Sequence, residues 1–448
     1  MQPELEIETA SASRSVGVRV LMTADRGRFS ATIARVSLPR SGAPADEVLS
    51  QLEAMRAKDV DWRRGRAFSL AYFAGDEVAA LAKDAYARFS SENALNTDAF
   101  PSLRRIQAEV VEMVSALVNG GDGAAGFMTT GGTESLLMAV LAARERGRKE
   151  RGIAAPEMVL PTSAHAAFEK GAHYFGVKSV RVPVREDFRA DVDATARAIN
   201  PNTVLVVGSA PQYPQGVVDP IEALAGLAER AGVSCHVDAC MGGMTLPFLE
   251  RLGEPIPRWD FRVPGVTSIS VDLHKYGYTA KGASVIVHRS KELRRHQTFV
   301  TQNWLGGTYG SSGVLGTKSG GAMAAAWAVM THLGEEGYLR LTRSARATAL
   351  RLADAIRATK GLRLLAEPQA TLVAFTGTDG VDPFALGRSL AARGWVLDQQ
   401  GPPPSLHATV NAVHERVLDE FLAELGSAVA RVRGQGAGEG ASSYGTVD

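Results

Sequence analysis

Cysteine is almost absent: the chain carries only Cys235 and Cys240. Two thiols cannot build the disulfide framework that holds small secreted domains together, so the composition fits a reducing, cytoplasmic setting. An excess of one charge is lacking as well. Lys and Arg number 49 against 48 Asp and Glu, for a formal net charge of +1. That balance argues against nucleic acid or an anionic membrane surface gripped by bulk charge. No apolar run approaches the ~20 residues that a membrane-spanning helix needs. The start, Met1 to Glu8, is acidic and lacks a basic region followed by an apolar stretch, so it does not read as a signal peptide. What the chain does have is core-forming material and glycine. Of its 448 residues, 45% are apolar and 46 are glycine. Such a chain can bury a large core, and its length predicts more than one domain.

Residues 1 to about 16 show no period and read as a frayed terminus. From Gly434 to Asp448 the glycine-rich sequence buries too little apolar surface to offset its ordering entropy, which predicts a disordered tail. Between these ends, helical and strand patterns alternate. Residues 102–118 have helical spacing and stop at Asn119-Gly120-Gly121, and a second helix begins near Glu134. β-rich runs follow at 158–160, 180–182, 203–207, 233–237, 268–271 and 283–287, with helical stretches at 191–199 and 221–231. Apolar strands separated by helices predict an α/β fold with a mostly parallel sheet, whose ligands sit beyond the carboxyl ends of the strands. After Ala322 helical patterns dominate, and 362–365 and 372–375 predict a small second sheet. The expected divisions are an N-terminal segment with helices (1–95), a large domain (96–325), a small C-terminal α+β domain (326–433) and the tail (434–448).

Three segments carry chemistry. Thr129-Thr130-Gly131-Gly132-Thr133-Glu134-Ser135 places two glycines and a hydroxyl at a helix start, where unpaired N–H groups can hold phosphate. The plain alternative is a capped helix after a glycine turn. His236-Val237-Asp238-Ala239-Cys240 ends a buried strand. Its alternating polar residues read as a metal site, as a carboxylate capping the next turn, or as a carboxylate paired with a cationic ring nitrogen. The third segment, Ser268 to Gly277, runs from an apolar strand into Asp272-Leu273-His274-Lys275 and a glycine turn. A lysine beyond a strand end is placed to form a Schiff base with a carbonyl cofactor. Phosphate loop, strand-end aspartate and later His-Lys together meet the three demands of pyridoxal 5'-phosphate: a phosphate cradle, a partner for the pyridine nitrogen and an imine-forming amine.

From about Ser37 to His407 the sequence resembles the sphingosine-1-phosphate lyases, within the group II decarboxylase branch of the fold-type I pyridoxal phosphate enzymes. The stretches that carry the resemblance are Thr129–Ser135, Ser209–Gly216, His236–Cys240 and Asp260–Ser270, continuing to Lys281-Gly282. The run His274-Lys275-Tyr276-Gly277-Tyr278-Thr279-Ala280-Lys281-Gly282 is typical of the lyases. The resemblance implies an aspartate aminotransferase-like fold with a large seven-stranded sheet. It implies that Lys275 holds the cofactor as a Schiff base, Asp238 pairs with its ring nitrogen and His165 stacks on its ring. A histidine at a helix start is the plain alternative for His165. Gly132, Thr133 and His274 are implied to hold the phosphate, and Thr317 to reach it from the other subunit of a homodimer with shared active sites. In the family that position is often Ser followed by Arg-Pro; here Lys318 and Ser319 follow. Lys281 matches the second lysine, assigned to the reacting substrate or its phosphate. Tyr72, Asn96 and Tyr213 match positions lining the site, and each has ordinary packing as its alternative.

The activity implied is retro-aldol cleavage of a phosphorylated sphingoid base, or a similar phosphorylated amino alcohol, to a long-chain aldehyde and phosphoethanolamine. The runner-up is amino-acid decarboxylation with the same cofactor, and the third reading is a non-catalytic cofactor-binding protein. No metal is expected. Eukaryotic members carry a membrane anchor before the catalytic part; its lack here is expected of a soluble, bacterial form.

Overall fold

The structure is a computed structural model that describes residues 37–434. The frayed start expected at residues 1 to about 16 lies outside the described residues, as does the tail expected after Gly434. The chain divides after Asp59. Before that point, among the described residues, lie the α-helix Ala45–Met55, entered through Pro44, and the 3-10 turn Arg56–Lys58. None of the helix's residues is buried. Val48, Leu49, Leu52 and Met55 are exposed, with the spacing of one helix face.

From Val60 the chain is built round a seven-stranded sheet. Its strands are β1 (Ala125–Thr129), β2 (Glu157–Pro161), β3 (Lys178–Val182), β4 (Thr203–Ser209), β5 (Ser234–Asp238), β6 (Ser268–Asp272) and β7 (Ser284–His288). Their order is β1-β7-β6-β5-β4-β2-β3. β7 is antiparallel to both of its neighbours, and the other pairs are parallel. The expected α/β fold with a mostly parallel seven-stranded sheet is therefore present. β4 to β7 are buried at every residue, as strands covered on both faces must be. The apolar segment before Thr129 is β1, which among the described residues is an edge strand held by β7.

A short hairpin follows the sheet: β8 (Phe299–Thr301) and β9 (Tyr309–Ser311). It leaves Phe299, Val300, Trp304 and Leu305 exposed. Helix then runs from Gly321 to Ala358, broken at Gly334, where φ is +54° and a side chain would be strained. Beyond it, β10 (Leu362–Leu364), β11 (Leu372–Gly377), β12 (Asp398–Gln400) and β13 (Ser405–Thr409) form an antiparallel sheet in the order β10-β11-β13-β12. Phe68, Phe375, Trp395 and Phe421 sit in its separate core. β12 and β13 escape the sequence patterns because Asp-Gln-Gln and Ser-Leu-His-Ala-Thr hold no apolar run.

Parallel strands end at one edge. The segments after β1, β2, β4, β5 and β6 therefore meet there, and the candidate residues they bear lie far apart in sequence.

Candidate active site

A cavity of about 410 Å³ opens at this edge. Thr130 to Glu134, Leu136, Leu137, His165, Tyr213, Asp238, His274 and Lys275 line it, with Cys240, Asp272 and Val314 among the other walls. The order of assembly follows the strands. β1 delivers the glycine loop, β2 delivers His165, β4 delivers Tyr213, β5 delivers Asp238, and β6 delivers Asp272 and Lys275.

The glycine corner is pinned from below by hydroxyls. The Ser284 hydroxyl lies 3.1 Å from the Val271 carbonyl and 2.8 Å from the Ser135 hydroxyl, which in turn lies 2.6 Å from the hydroxyl of Thr129. These bonds fix the first turn of helix Gly132–Arg151 against the sheet, with its N-terminal dipole toward the cavity. Glu134, in that first turn, accepts from the N–H of Thr130 (2.7 Å) and its hydroxyl (2.6 Å) through one oxygen. Through the other it accepts from the N–H of Val314 (2.7 Å), tying the segment after the hairpin to the glycine loop. Sequence reading missed this role of Glu134, because nothing local links residues 134 and 314. At Gly132 a Cβ would fall 2.6 Å from Oδ2 of Asp272. Only glycine allows this helix start to approach the carboxylate so closely.

Lys275 Nζ lies 2.9 Å from Oδ2 of Asp272, and His274 Nε2 lies 3.8 Å from the same oxygen. Burial works against the Asp272 carboxylate, but Lys275 and then His274 overcome it, and its pKa stays below the usual range. Burial lowers the pKa of His274, against the pull of Asp272. His274 Nδ1 accepts from the N–H of Ala283 (3.3 Å). His165 is held in the loop before helix Ala167–Phe175, its Nδ1 accepting from the N–H of Ala167 (3.1 Å). Burial lowers its pKa too, although Asp238 opposes this. Arg181 braces that loop, donating to the carbonyls of Pro161 (3.0 Å) and Ala164 (2.8 Å). Asp238 is nearly buried, and its Oδ1 accepts from the N–H of Cys240 (3.0 Å).

The candidates at the substrate end are dispersed. Tyr213 lines the cavity, stacks on His407 at 4.1 Å and donates to Asp398 of the second sheet. Tyr72 and Lys281 line a second cavity of about 560 Å³. Lys281 Nζ donates to the carbonyls of Leu70 (2.9 Å) and His274 (3.2 Å) and lies 5.0 Å from the Tyr72 ring centre. Burial of this ammonium, with Lys275 nearby, pulls its pKa down to about 8. The Tyr72 hydroxyl meets Met241 Sδ at 3.9 Å, and Met241 lines the first cavity. Asn96 lines neither cavity; its side chain accepts from the N–H groups of Asp98 (3.1 Å) and Ala99 (3.2 Å) before helix Pro101–Leu117. Thr317, the cofactor-phosphate candidate expected to act from the other subunit, is exposed, accepts from Asn93 (3.3 Å) and is not on the wall of the first cavity. Its neighbour Lys318 points inward to the carbonyl of Met128 (2.7 Å), and burial lowers its pKa to about 8. Among the described residues no group of three or more His, Cys, Asp and Glu is placed to hold a metal.

One cavity thus combines an anion-holding helix start, a lysine, a carboxylate and an imidazole. That donor set matches the phosphate, aldehyde, ring nitrogen and ring face of pyridoxal phosphate. At the carboxyl edge of a mostly parallel sheet it defines a pyridoxal phosphate enzyme of fold type I.

Residues 31–377 match the model of the pyridoxal-dependent decarboxylase conserved domain, and the chain belongs to that family. It is 42% identical over 407 residues to a sphingosine-1-phosphate lyase of Oryza sativa, covering 89% of this chain and 75% of the relative. A probable L-aspartate decarboxylase of Pyrococcus furiosus is 34% identical over 360 residues, covering 80% of this chain and 94% of that one. Among solved structures, a sphingosine-1-phosphate lyase of Burkholderia pseudomallei superposes with a TM-score of 0.86 at 41% identity, covering 89% of this chain and 94% of the other.

Proposed function

We propose that the chain is a carbon–carbon lyase that cleaves a phosphorylated sphingoid base, or a close phosphorylated amino alcohol, to a long-chain aldehyde and phosphoethanolamine. The observation that carries this reading over decarboxylation is Lys281. It stands on the same loop as Lys275, with its ammonium against the His274 carbonyl, and offers a second cation beside the cofactor cavity. A substrate with its own phosphate has use for that charge. The higher identity to the lyases supports the same choice.

Bound pyridoxal phosphate supplies the electron sink for the pair released as the bond breaks. The chain's own residues do the rest. Gly132, Thr133 and His274 hold the cofactor phosphate at the helix start. Lys275 would hold its aldehyde carbon through Nζ and, once released from it, would carry a proton there beside the Asp272 carboxylate. Asp238 holds a proton on the ring nitrogen, and neutral His165 packs on the ring face. Lys281 receives the substrate phosphate. That contact would fix the orientation of the bound substrate, and orientation decides which bond reacts.

The active form is a homodimer in this reading, located in the cytoplasm. Thr317, exposed and away from its own cavity wall, reaches the cavity of the partner subunit. The apolar side chains exposed on the hairpin support an interface there. The test is product analysis with purified holoenzyme. Phosphoethanolamine and a long-chain aldehyde from sphingosine 1-phosphate are expected. Carbon dioxide from an amino acid, with no aldehyde from the phosphorylated base, overturns the reading.

A further inference from the structure

The sequence singled out His236-Val237-Asp238-Ala239-Cys240, and the site absorbs only the aspartate. His236 is fully buried, yet it lines neither cavity described. Its partners come from the neighbouring strand. β5 and β6 pair in parallel, with His236 opposite Ser268 and Asp238 opposite Ser270. Alternation along both strands puts these four side chains on one face. His236 Nδ1 lies 2.9 Å from the Ser268 hydroxyl, and Nε2 lies 3.2 Å from the Ser270 hydroxyl. Ser270 Oγ in turn lies 3.5 Å from Oδ1 of Asp238 and 3.4 Å from Sγ of Cys240.

Proton counting gives these contacts a direction. A carboxylate only accepts, so the single hydroxyl proton of Ser270 goes to Asp238. Ser270 then accepts from its other neighbours, so the imidazole proton sits on Nε2. Nδ1 is left bare and takes the proton of Ser268. This needs a neutral ring, and burial lowers the His236 pKa to about 3. Phe168 covers the ring edge-on at 6.1 Å. Asp238 is thereby held at one oxygen by Ser270 and by the N–H of Cys240, and it lines the cofactor cavity.

We propose that Ser268, His236 and Ser270 form a positioning relay that fixes the orientation of the Asp238 carboxylate toward the ring nitrogen of the cofactor. The relay rests on the reading of Asp238 as the partner of that nitrogen. None of its three members touches the cofactor, and all act through Asp238.

The experiment is a double-mutant cycle, read as the dissociation constant and visible absorbance of pyridoxal phosphate titrated into apoprotein. Ser270→Ala is expected to weaken cofactor binding about five- to tenfold and to shift the visible band, as the loss of one hydrogen bond to a charged group predicts. Ser270→Thr keeps the hydroxyl and restores both. In an Asp238→Ala background, Ser270→Ala has no further effect. His236→Phe repeats the Ser270→Ala result; should it fail to fold, the serine cycle still decides. Equal weakening by Ser270→Ala with and without Asp238 overturns the relay, as does a lowered melting temperature with affinity and spectrum unchanged. An Asp238→Ala variant that binds cofactor normally with an unchanged spectrum overturns the reading of Asp238 instead, so the two failures are distinguishable.

Discussion

The two ends of the site are built differently. At the cofactor end, the candidates of the cavity wall stand at or shortly after the carboxyl ends of sheet strands, and several are braced: Asp272 against Lys275, Asp238 on the N–H of Cys240, and the glycine loop on a chain of hydroxyls. At the substrate end, Tyr72 and Lys281 line a separate cavity, Tyr213 lines the cofactor cavity and Asn96 is exposed; Thr317, the cofactor candidate expected of the other subunit, is exposed as well. The contrast teaches a division of labour. A sheet edge within one chain can preorganise a rigid cofactor. The residues proposed to meet a long flexible substrate lie in loops and at surfaces, where positions are less fixed by one sheet.

This contrast is open to attack, beginning with its strongest point. Lys275→Ala should remove the visible absorbance of bound cofactor and lower kcat about a thousandfold or more, because among the described residues no other lysine lines that cavity. Retained colour would break the assignment of the cofactor end. Gly132→Ala should weaken cofactor binding about tenfold and cost about 1–3 kcal/mol of stability, since its Cβ meets the Asp272 carboxylate. Titration of apoprotein and thermal melting read both effects. Lys281→Gln should leave cofactor affinity unchanged and raise KM for a phosphorylated substrate about tenfold, the loss expected for a charge-assisted contact. In the parent enzyme the same contact predicts a pH effect. Lys281 is charged below about 8 and loses its proton above it. KM for the phosphorylated substrate should therefore rise as pH climbs through 8, and a flat profile would remove Lys281 from phosphate binding. Asn96→Ala is the smallest expected change. Its two turn hydrogen bonds predict a loss of about 1 kcal/mol, seen by melting, with steady-state kinetics unaltered. A large fall in activity with an unchanged melting temperature would instead place Asn96 in a site.

The legible parts of the molecule were those whose signal is local. Apolar runs marked β2 to β7, and the His274-Lys275 pair followed a strand pattern closely enough to be placed. β1 was seen only as an apolar segment, and β12 and β13 were not seen, because their residues alternate or are polar. The brace at Glu134 was invisible for another reason. Its partner is the backbone of Val314, and backbone leaves no trace in composition. Arg181 escaped likewise, since it holds the His165 loop through carbonyls alone.

Sequence by itself determined the α/β class and pointed to the cofactor, because strand periodicity, glycine spacing and side-chain chemistry are properties of neighbouring positions; the further residue roles came from the resemblance to the lyases. Tertiary structure alone decided which of those residues share a cavity. It set Asp272 beside Lys275 and Lys281 against Tyr72. It turned His236 from a conceivable metal ligand into a partner of two serines. Strand register makes that last assignment, and register is a relation between segments that no single segment carries.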